Sequence, residues 1–528
     1  MRRGRQGRRF RSIGGGLVVA VLVIGCSGPG PVGSPTPRPP REVLVTVVDR
    51  TNRSPVPYAS LRIADLVTTT GADGSVTLTA VPGASMEASA EGFDLGTGTV
   101  PEAAGLTIAL RPNVVSGKVT DGIGKPIAGV RVFVDGTVVA TLTDAQGRYT
   151  LPGVPEQGTL VYKMPGFRLG VIASEGHLTK DVALVPFTAR ALYAPSAIFE
   201  GAGRLDAMLD LIDRTEVNAM VIDVKEADGN LYWATDLPVA TSVGAVMEHP
   251  LLHLDELLPK LKQRGIYTIA RMVVMKDNTL GEQRPELAVM DSATGQPWRD
   301  YRGSVWLDPY STGVAEYIAA LAGDLADKGF DEVQLDYVRF FSDGDYSVAD
   351  ANLPNTQSFR LPAIRRLFRL VSDALATRRT FFAADVFPIS FIATDDQGIG
   401  QRPEVIMPYV DYFSPMVYPS HYDPYTFGFA NPNDHPYEVI DKTLKLMNAE
   451  RAGLRMVIRP WIQDFGFGPF PAYTADQVLQ EMQAAADNGA QGWMIWNAAA
   501  RFTEAALGPP RDGEASGPVS SPSPAPAS

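Results

Sequence analysis

From residue 188 onward the chain alternates between two hydrophobic rhythms. Short apolar runs rich in β-branched and aromatic residues recur as "ARALYAP" (189–195), "AMVIDVK" (219–225), "YTIARMVVM" (267–275), "EVQLDYV" (332–338), "FFAADVF" (381–387), "DYFSPMVY" (411–418), "RMVIRPWI" (455–462) and "GWMIWNA" (492–498). Between them, stretches with helical amphipathic spacing occupy 203–215, 254–264, 312–328, 358–378, 436–451 and 474–488. The last begins at Thr474, a good N-terminal cap, and stops at Gly489. Eight strand-like runs alternating with helices across 188–507 predict an α/β domain folded as a (β/α)8 TIM barrel. A doubly wound open sheet is the competing layout. It lacks its fingerprint, because "APSAIFEGAGR" after the first run does not fit G-x-G-x-x-G.

Residues 42–187 have a shorter period and repeat internally. "SPVPYASLRI" (54–63) matches "KPIAGVRVFV" (125–134), and "TGADGSVTLTAVP" (70–82) matches "TDAQGRYTLPGVP" (143–155). "AEGFDLGTG" (90–98) matches "MPGFRLGVI" (164–172). Alternating strands with Gly, Asp and Pro turns predict two small all-β sandwich modules, 42–112 and 113–187. Their motifs resemble carboxypeptidase regulatory-like (prealbumin-like) modules. Neither copy shows a row of exposed aromatics, so a spacer is expected in preference to a sugar binder.

The termini read differently. "MRRGRQGRRFR" is basic, and "IGGGLVVAVLVIG" is apolar but short for a transmembrane helix. The run ends at "VIGC", which resembles a bacterial lipobox with Cys26 as the lipidated residue. Cys26 is the only cysteine, so no intramolecular disulfide can form. Residues 1–26 are therefore expected to be a lipoprotein signal peptide, and 27–41 a Pro/Ser-rich tether. Residues 508–528 are expected to be a disordered tail. The expected location is extracytoplasmic, anchored to the cell membrane by lipid.

Composition narrows the chemistry. The 528-residue chain carries a net charge of −12, which argues against a nucleic-acid partner, because phosphate binding needs a basic face. Active sites of such barrels lie at the C-terminal ends of the strands. In chain order those ends supply Asp223, Lys225 and Glu226; Arg271, Lys276 and Asp277; Asp336, Tyr337 and Arg339; Asp385; Tyr418 and His421; Arg459, Trp461, Gln463 and Asp464; and Trp496 and Asn497. Trp298 and Trp306 come from the loop before the third long helix. Carboxylates on several strand ends with Trp and Tyr among them are what cleavage of a sugar requires: two acids for the reaction, aromatic faces for the rings, Arg and Asn for hydroxyls.

Competing motifs are weak. No G-x-S-x-G, Walker loop or H-E-x-x-H occurs. "HPLLH" (249–253) reads as the approach to a helix, and Asp343, Asp345 and Asp350 in "SDGDYSVAD" as a solvated turn. No metal or cofactor is expected. Strand alternation puts Leu335 and Val333 against the helices and turns Asp336 to the barrel mouth. If the strand persisted, Tyr337 and Arg339 would lie on the face opposite Asp336. Asp223 could instead be a structural acid paired with Arg271, and Asp336 could neutralise Arg339.

"NAMVIDVKEADGNLYW", "YTIARMVVMKDNTL", "WRDYRGSVWLDPYS", "GFDEVQLDYVRFFSDG", "AADVFP", "SPMVYPSHY", "IRPWIQDF" and "GWMIWNA" together resemble a bacterial glycoside hydrolase-like barrel family once classed as a domain of unknown function. The resemblance covers roughly 190–505. It implies a TIM barrel related to sugar hydrolases, with Asp336 as leading catalytic acid and Asp385 or Glu226 as partner. This chain has "RFFSDG" where the family shows an aromatic followed by Pro. The expectation is a monomeric, surface-anchored hydrolase of glycosidic bonds in a poly- or oligosaccharide. Asp223, Arg271, Trp306, Tyr337, Arg339, Tyr418, His421, Trp461, Gln463, Trp496 and Asn497 would bind the substrate. The alternatives are a non-catalytic glycan-binding lipoprotein, attached to cell-wall or capsule polysaccharide, and a scaffold in which the sandwiches do the work.

Overall fold

The structure, a computed structural model, describes residues 38–510 apart from Ala104 and Ala202. The expected signal peptide with Cys26, most of the expected tether and nearly all of the expected C-terminal tail lie outside the described residues. These fall into two compact units, 38–111 without 92–94, and 112–510 together with 92–94.

The first unit is a two-sheet sandwich. Ser75–Ala80, Arg41–Asp49 and Gly105–Leu110 form one sheet; Leu66–Thr69, Ser60–Ile63, Ser85–Ser89 and Gly96–Thr99 form the other. The second unit begins with a sandwich of the same topology. Its three-stranded sheet is Arg148–Leu151, Val115–Asp121 and Val182–Leu184, and its four-stranded sheet is Ala140–Leu142, Arg131–Val134, Thr159–Lys163 and Gly170–Ala173. The sequence repeat is thus a repeat of strand order.

The barrel strands are β1 (Ala189–Ala194), β2 (Ala219–Lys225), β3 (Tyr267–Val273), β4 (Glu332–Asp336), β5 (Phe381–Val386) and β6 (Tyr412–Pro415), then β7 in two pieces, Val457–Ile458 and Trp461–Gln463, and β8 (Gly492–Trp496). Each pairs in parallel with the next. The first piece of β7 pairs with β6 and the second with β8, while β8 returns to β1, so the ring closes. Pro460 explains the break: it offers no N–H to a ladder. Gly492 allows the closure, because a Cβ there would lie 1.7 Å from the Ala189 carbonyl oxygen.

The outer helices are α1 (Arg204–Asp213), α2 (Leu254–Gln263), α3 (Thr312–Lys328), α4 (Gln357–Leu375), α5 (Pro436–Glu450) and α6 (Ala475–Asp487). α6 opens with a capping box, Thr474 with Gln477, and α3 ends at Gly329 with φ 104°. Between β5 and β6 stand only short helical turns, Ile389–Ile392 and Pro403–Ile406. That connection is free to build a wall over the strand ends.

Period-two alternation divides the core in two. Val333 and Leu335 of β4 join the layer between strands and helices. Ala191, Val221, Ile269, Ala383, Tyr412 and Met494 fill the interior. Glu332, Gln334 and Asp336 are the alternate, inward residues of β4 and are all buried. At the entering end of the strands, Glu332 pairs with Arg459 and accepts a hydrogen bond from Tyr267 Oη at 2.9 Å. Midway, Gln334 Nε2 donates to Ser414 Oγ at 3.2 Å.

The second sandwich packs on that entering end. Lys163 is buried, with Nζ 2.9 Å from Asp411 Oδ2 and donating to the Thr380 carbonyl at 2.6 Å. Gly166 N–H donates to Tyr412 Oη at 3.0 Å. A free spacer does not describe this module: it covers the barrel's closed end.

Candidate active site

The register of four neighbouring strands assembles a charge cluster. Asp223 of β2 is opposite Arg271 of β3, and Val273 of β3 is opposite Asp336 of β4. Arg271 Nη1 donates to Asp223 Oδ1 at 2.5 Å, and its Nη2 donates to Asp336 Oδ2. Its Nε lies 3.8 Å from Asp385 Oδ2 on β5. Asp223 Oδ2 also accepts from Tyr193 Oη, Asp336 Oδ1 from the Tyr337 N–H at 2.6 Å, and Asp385 Oδ1 from Trp461 Nε1 at 2.7 Å. The guanidinium lies 5.1 Å from the Trp496 ring centre, and that ring stacks on Tyr193 at 4.0 Å.

One cation among three acids leaves excess negative charge in a dry place. A buried carboxylate without full compensation takes up a proton. Burial first, and then the Asp336 charge, push the Asp385 carboxyl well above the usual carboxylate range. Its Oδ2 has no hydrogen-bond partner among the described residues.

Asp336 and Asp385 line one cleft of about 570 Å³, along with Arg271, Tyr337, Arg339, Tyr418, His421, Trp461 and Trp496. Here the extended-strand expectation fails. β4 ends at Asp336, and Tyr337 has φ 55°, a left-handed conformation that is unusual for an aromatic residue. The reversal brings Tyr337 and Arg339 into the same cleft as Asp336. Arg339 does not pair with Asp336. It donates to Ser342 Oγ, lies 3.2 Å from Asp343 Oδ2, and sits over Trp306, Phe387 and Tyr337 at 4.8, 5.3 and 5.4 Å. The "RFFSDG" segment is anchored by Phe340 and Phe341, both buried, against Tyr310 and Trp298.

Five residues expected to touch substrate or perform catalysis are not among those lining the cleft. Asp223 is fully buried behind Arg271 and serves as its structural counter-ion. Trp306 is buried, donates from Nε1 to Asp300 Oδ2 at 3.1 Å, and backs Tyr337. Gln463 is buried, and Asn497 donates to the Asp464 carbonyl and caps the turn after β8 through Ala499 N–H. Glu226 accepts from Ser196 Oγ at 3.0 Å, and burial and Asp223 push its pKa up. It does not line the cleft that holds Asp336 and Asp385.

The sequence reading missed the wall supplied by the β5–β6 connection: Phe387, Pro388, Ile389, Ile392 and Gln401. An available signal was "FPISFI" (387–392), just past the end of β5, apolar residues in a segment with no full-length helix to bury them. Arg302, Tyr422, Asp423 and Thr426 complete the rim. Among the described residues no group of three His, Cys, Asp or Glu side chains could hold a metal ion. Asp345 instead accepts from Ser347, and His253 precedes α2 without a side-chain cap bond.

Comparison with known proteins follows the same division. Residues 191–502 match the family model described as "Putative glycosyl hydrolase domain". The chain belongs to this glycosyl hydrolase family. Residues 114–184 match the carboxypeptidase regulatory-like domain, the second of the two sandwiches. Among solved structures, a hypothetical protein from Ruminiclostridium thermocellum is 31% identical over 37% of this chain and 97% of its own, with a TM-score of 0.32. The PgaB (BpsB) glycoside hydrolase domain from Bordetella bronchiseptica is 15% identical over 59% and 94%, with a TM-score of 0.44. An alpha-galactosidase from Thermus thermophilus is 14% identical over 69% and 72%, with a TM-score of 0.37. No curated protein matches the chain.

Proposed function

We propose that the family's hydrolase chemistry is carried out in this barrel by Asp385 as general acid and Asp336 as its carboxylate partner. The substrate would be a poly- or oligosaccharide. The observation that carries the reading is the unequal environment of two acids in one cleft. Asp336 is ion-paired with Arg271 and hydrogen-bonded by the Tyr337 N–H. Asp385 is pushed toward its protonated form. One carboxyl that can give a proton beside a second carboxyl is the requirement for protonating a leaving oxygen while a second group attacks or activates water. The proton moves from Asp385 to the glycosidic oxygen as the C–O bond breaks. Asp336 meets the positive charge that develops at the anomeric carbon, either by bonding to it or by taking a proton from water. Trp461, Trp496, Tyr418 and Phe387 supply apolar faces for pyranose rings. No cofactor enters this scheme.

The basic N-terminal run, the apolar stretch and Cys26 support anchorage outside the cytoplasm as a lipoprotein. Metabolic labelling with a fatty acid tests this: label should enter the wild type and be absent from Cys26→Ser. The hydrolase reading is tested on a panel of p-nitrophenyl glycosides and polysaccharides. Asp385→Asn and Asp336→Asn should each lose at least about 100-fold in kcat, the usual scale for removing an acid or base. A wild type that binds glycans yet cleaves none would favour the binding alternative.

A further inference from the structure

The loop after β6 and the second piece of β7 are joined by one side-chain amide. Gln463 Oε1 accepts from the Ser420 backbone N–H at 3.2 Å, and its Nε2 donates to the Phe465 carbonyl at 2.9 Å. A backbone N–H can only donate and a carbonyl can only accept, so the orientation of this amide is fixed. Ser420 Oγ lies 2.9 Å from the same Oε1, which therefore receives the hydroxyl proton. A serine hydroxyl has only that one proton. Toward His421 Nδ1, 3.0 Å away, Ser420 Oγ can act only as acceptor.

The ring proton of His421 consequently sits on Nδ1. Partial desolvation pushes the His421 pKa down, which disfavours a second proton. Nε2 is left with a bare lone pair and has no hydrogen-bond partner among the described residues, while the imidazole lines the cleft. The ring is clamped, stacked on Phe467 at 4.2 Å and edge-on to Tyr418 at 5.5 Å and Phe465 at 5.8 Å. The support extends inward: Gln463 N–H donates to Glu481 Oε2 at 2.7 Å, and Glu481 is fully buried on α6.

We propose that His421 is a specificity-determining residue of the cleft, its Nε2 accepting a hydrogen bond from a free hydroxyl of an uncharged sugar residue, with Ser420 and Gln463 as the positioning residues that fix it as an acceptor. The proposal rests on the glycosidase reading of the cleft and adds the substrate class at one subsite. An acceptor lone pair attracts a hydroxyl hydrogen and repels carboxylate oxygens. A neutral hexose or N-acetylhexosamine fits there; a hexuronate at the same position sets lone pair against lone pair.

The test uses the full chain labelled with ¹⁵N-histidine, His421→Gln identifying the resonances. At neutral pH the wild type should show a protonated Nδ1 and a bare Nε2, and Ser420→Ala should shift the ring toward the Nε2–H tautomer. A proton on Nε2 in the wild type, or an unchanged tautomer in Ser420→Ala, overturns the proposal. Methyl glucoside, methyl galactoside, methyl mannoside and N-acetylglucosamine are then titrated against glucuronate and galacturonate. At least one neutral sugar should move the Nε2 resonance and the uronates should not. His421→Ala should weaken that sugar by about tenfold, the loss of one hydrogen bond, and His421→Gln, which offers an amide oxygen, should recover it. Uronates moving Nε2 as much as the neutral sugars, no neutral sugar moving it, or equal affinity in His421→Ala overturns the proposal. None of these readings requires turnover, so failure of the hydrolase reading would appear separately, as absence of cleavage.

Discussion

Arg271 Nε lies 3.8 Å from Asp385 Oδ2, and neither atom has a hydrogen-bond partner among the described residues. The same guanidinium directs Nη1 to Asp223 and Nη2 to Asp336. Asp385 is thus near a cation but not hydrogen-bonded by it, so burial and the neighbouring Asp336 charge prevail and drive its carboxyl toward the neutral form.

Removing the cation should destabilise the barrel. In Arg271→Met the buried Asp223 loses its counter-ion, and breaking a buried pair from one side costs about 3–5 kcal/mol. Arg271→Lys should fall between Met and wild type, because a single ammonium cannot span two carboxylates as a planar fork does. The midpoints of urea unfolding check this order.

Asp385 links activity to pH. As the proposed general acid it must act in its protonated form, so kcat/KM should fall as pH rises through its raised pKa. Trp461 Nε1 donates to this carboxylate and lowers that pKa. Trp461→Phe should therefore move the alkaline limb of the pH–rate profile to higher pH. A shift to lower pH would contradict the assignment.

The same group links stability to pH with the opposite benefit. A raised native pKa means the folded state holds this proton more tightly than the unfolded chain does. The contribution is complete below the unfolded value and is lost as pH rises through the native value. Asp385→Asn cannot ionise and escapes that loss. It should be less active yet more resistant to urea than wild type at neutral pH, with the advantage disappearing in acid.

Lys163 ties the second sandwich to the barrel, and Asp411 Oδ2 also accepts from the Phe382 N–H at 3.0 Å. Lys163→Met should leave Asp411 buried without its cation and cost about 3–5 kcal/mol. Asp135→Ala, which breaks the more exposed pair with Arg379, should cost under about 1 kcal/mol. Equal effects in urea unfolding would mean that the buried contact does not support the barrel.

The barrel was legible because its signal is repeated. Eight apolar runs and six amphipathic stretches were placed within a few residues of the observed elements, and the internal repeat foretold two sandwiches of one topology. Asp336 was legible for a similar reason: alternation with Val333 and Leu335 left it only the interior. What the sequence hid depends on single dihedrals and on partners distant in the chain. The positive φ of Tyr337 has no sequence signature in an aromatic residue, and it reversed the expected face of Arg339. Asp223, Gln463 and Asn497 are polar strand-end residues like the cleft residues, yet they answer to Arg271, Ser420 and Asp464 instead of a ligand. The β5–β6 wall was missed because it belongs to no regular element.

The central claim is that Asp336 and Asp385 act together on a glycosidic bond. Release of new reducing ends from a polysaccharide panel by wild type, Asp336→Asn and Asp385→Asn tests it most directly. The account predicts release by the wild type and at least about 100-fold less by each variant. Release by either variant at the wild-type rate would contradict it.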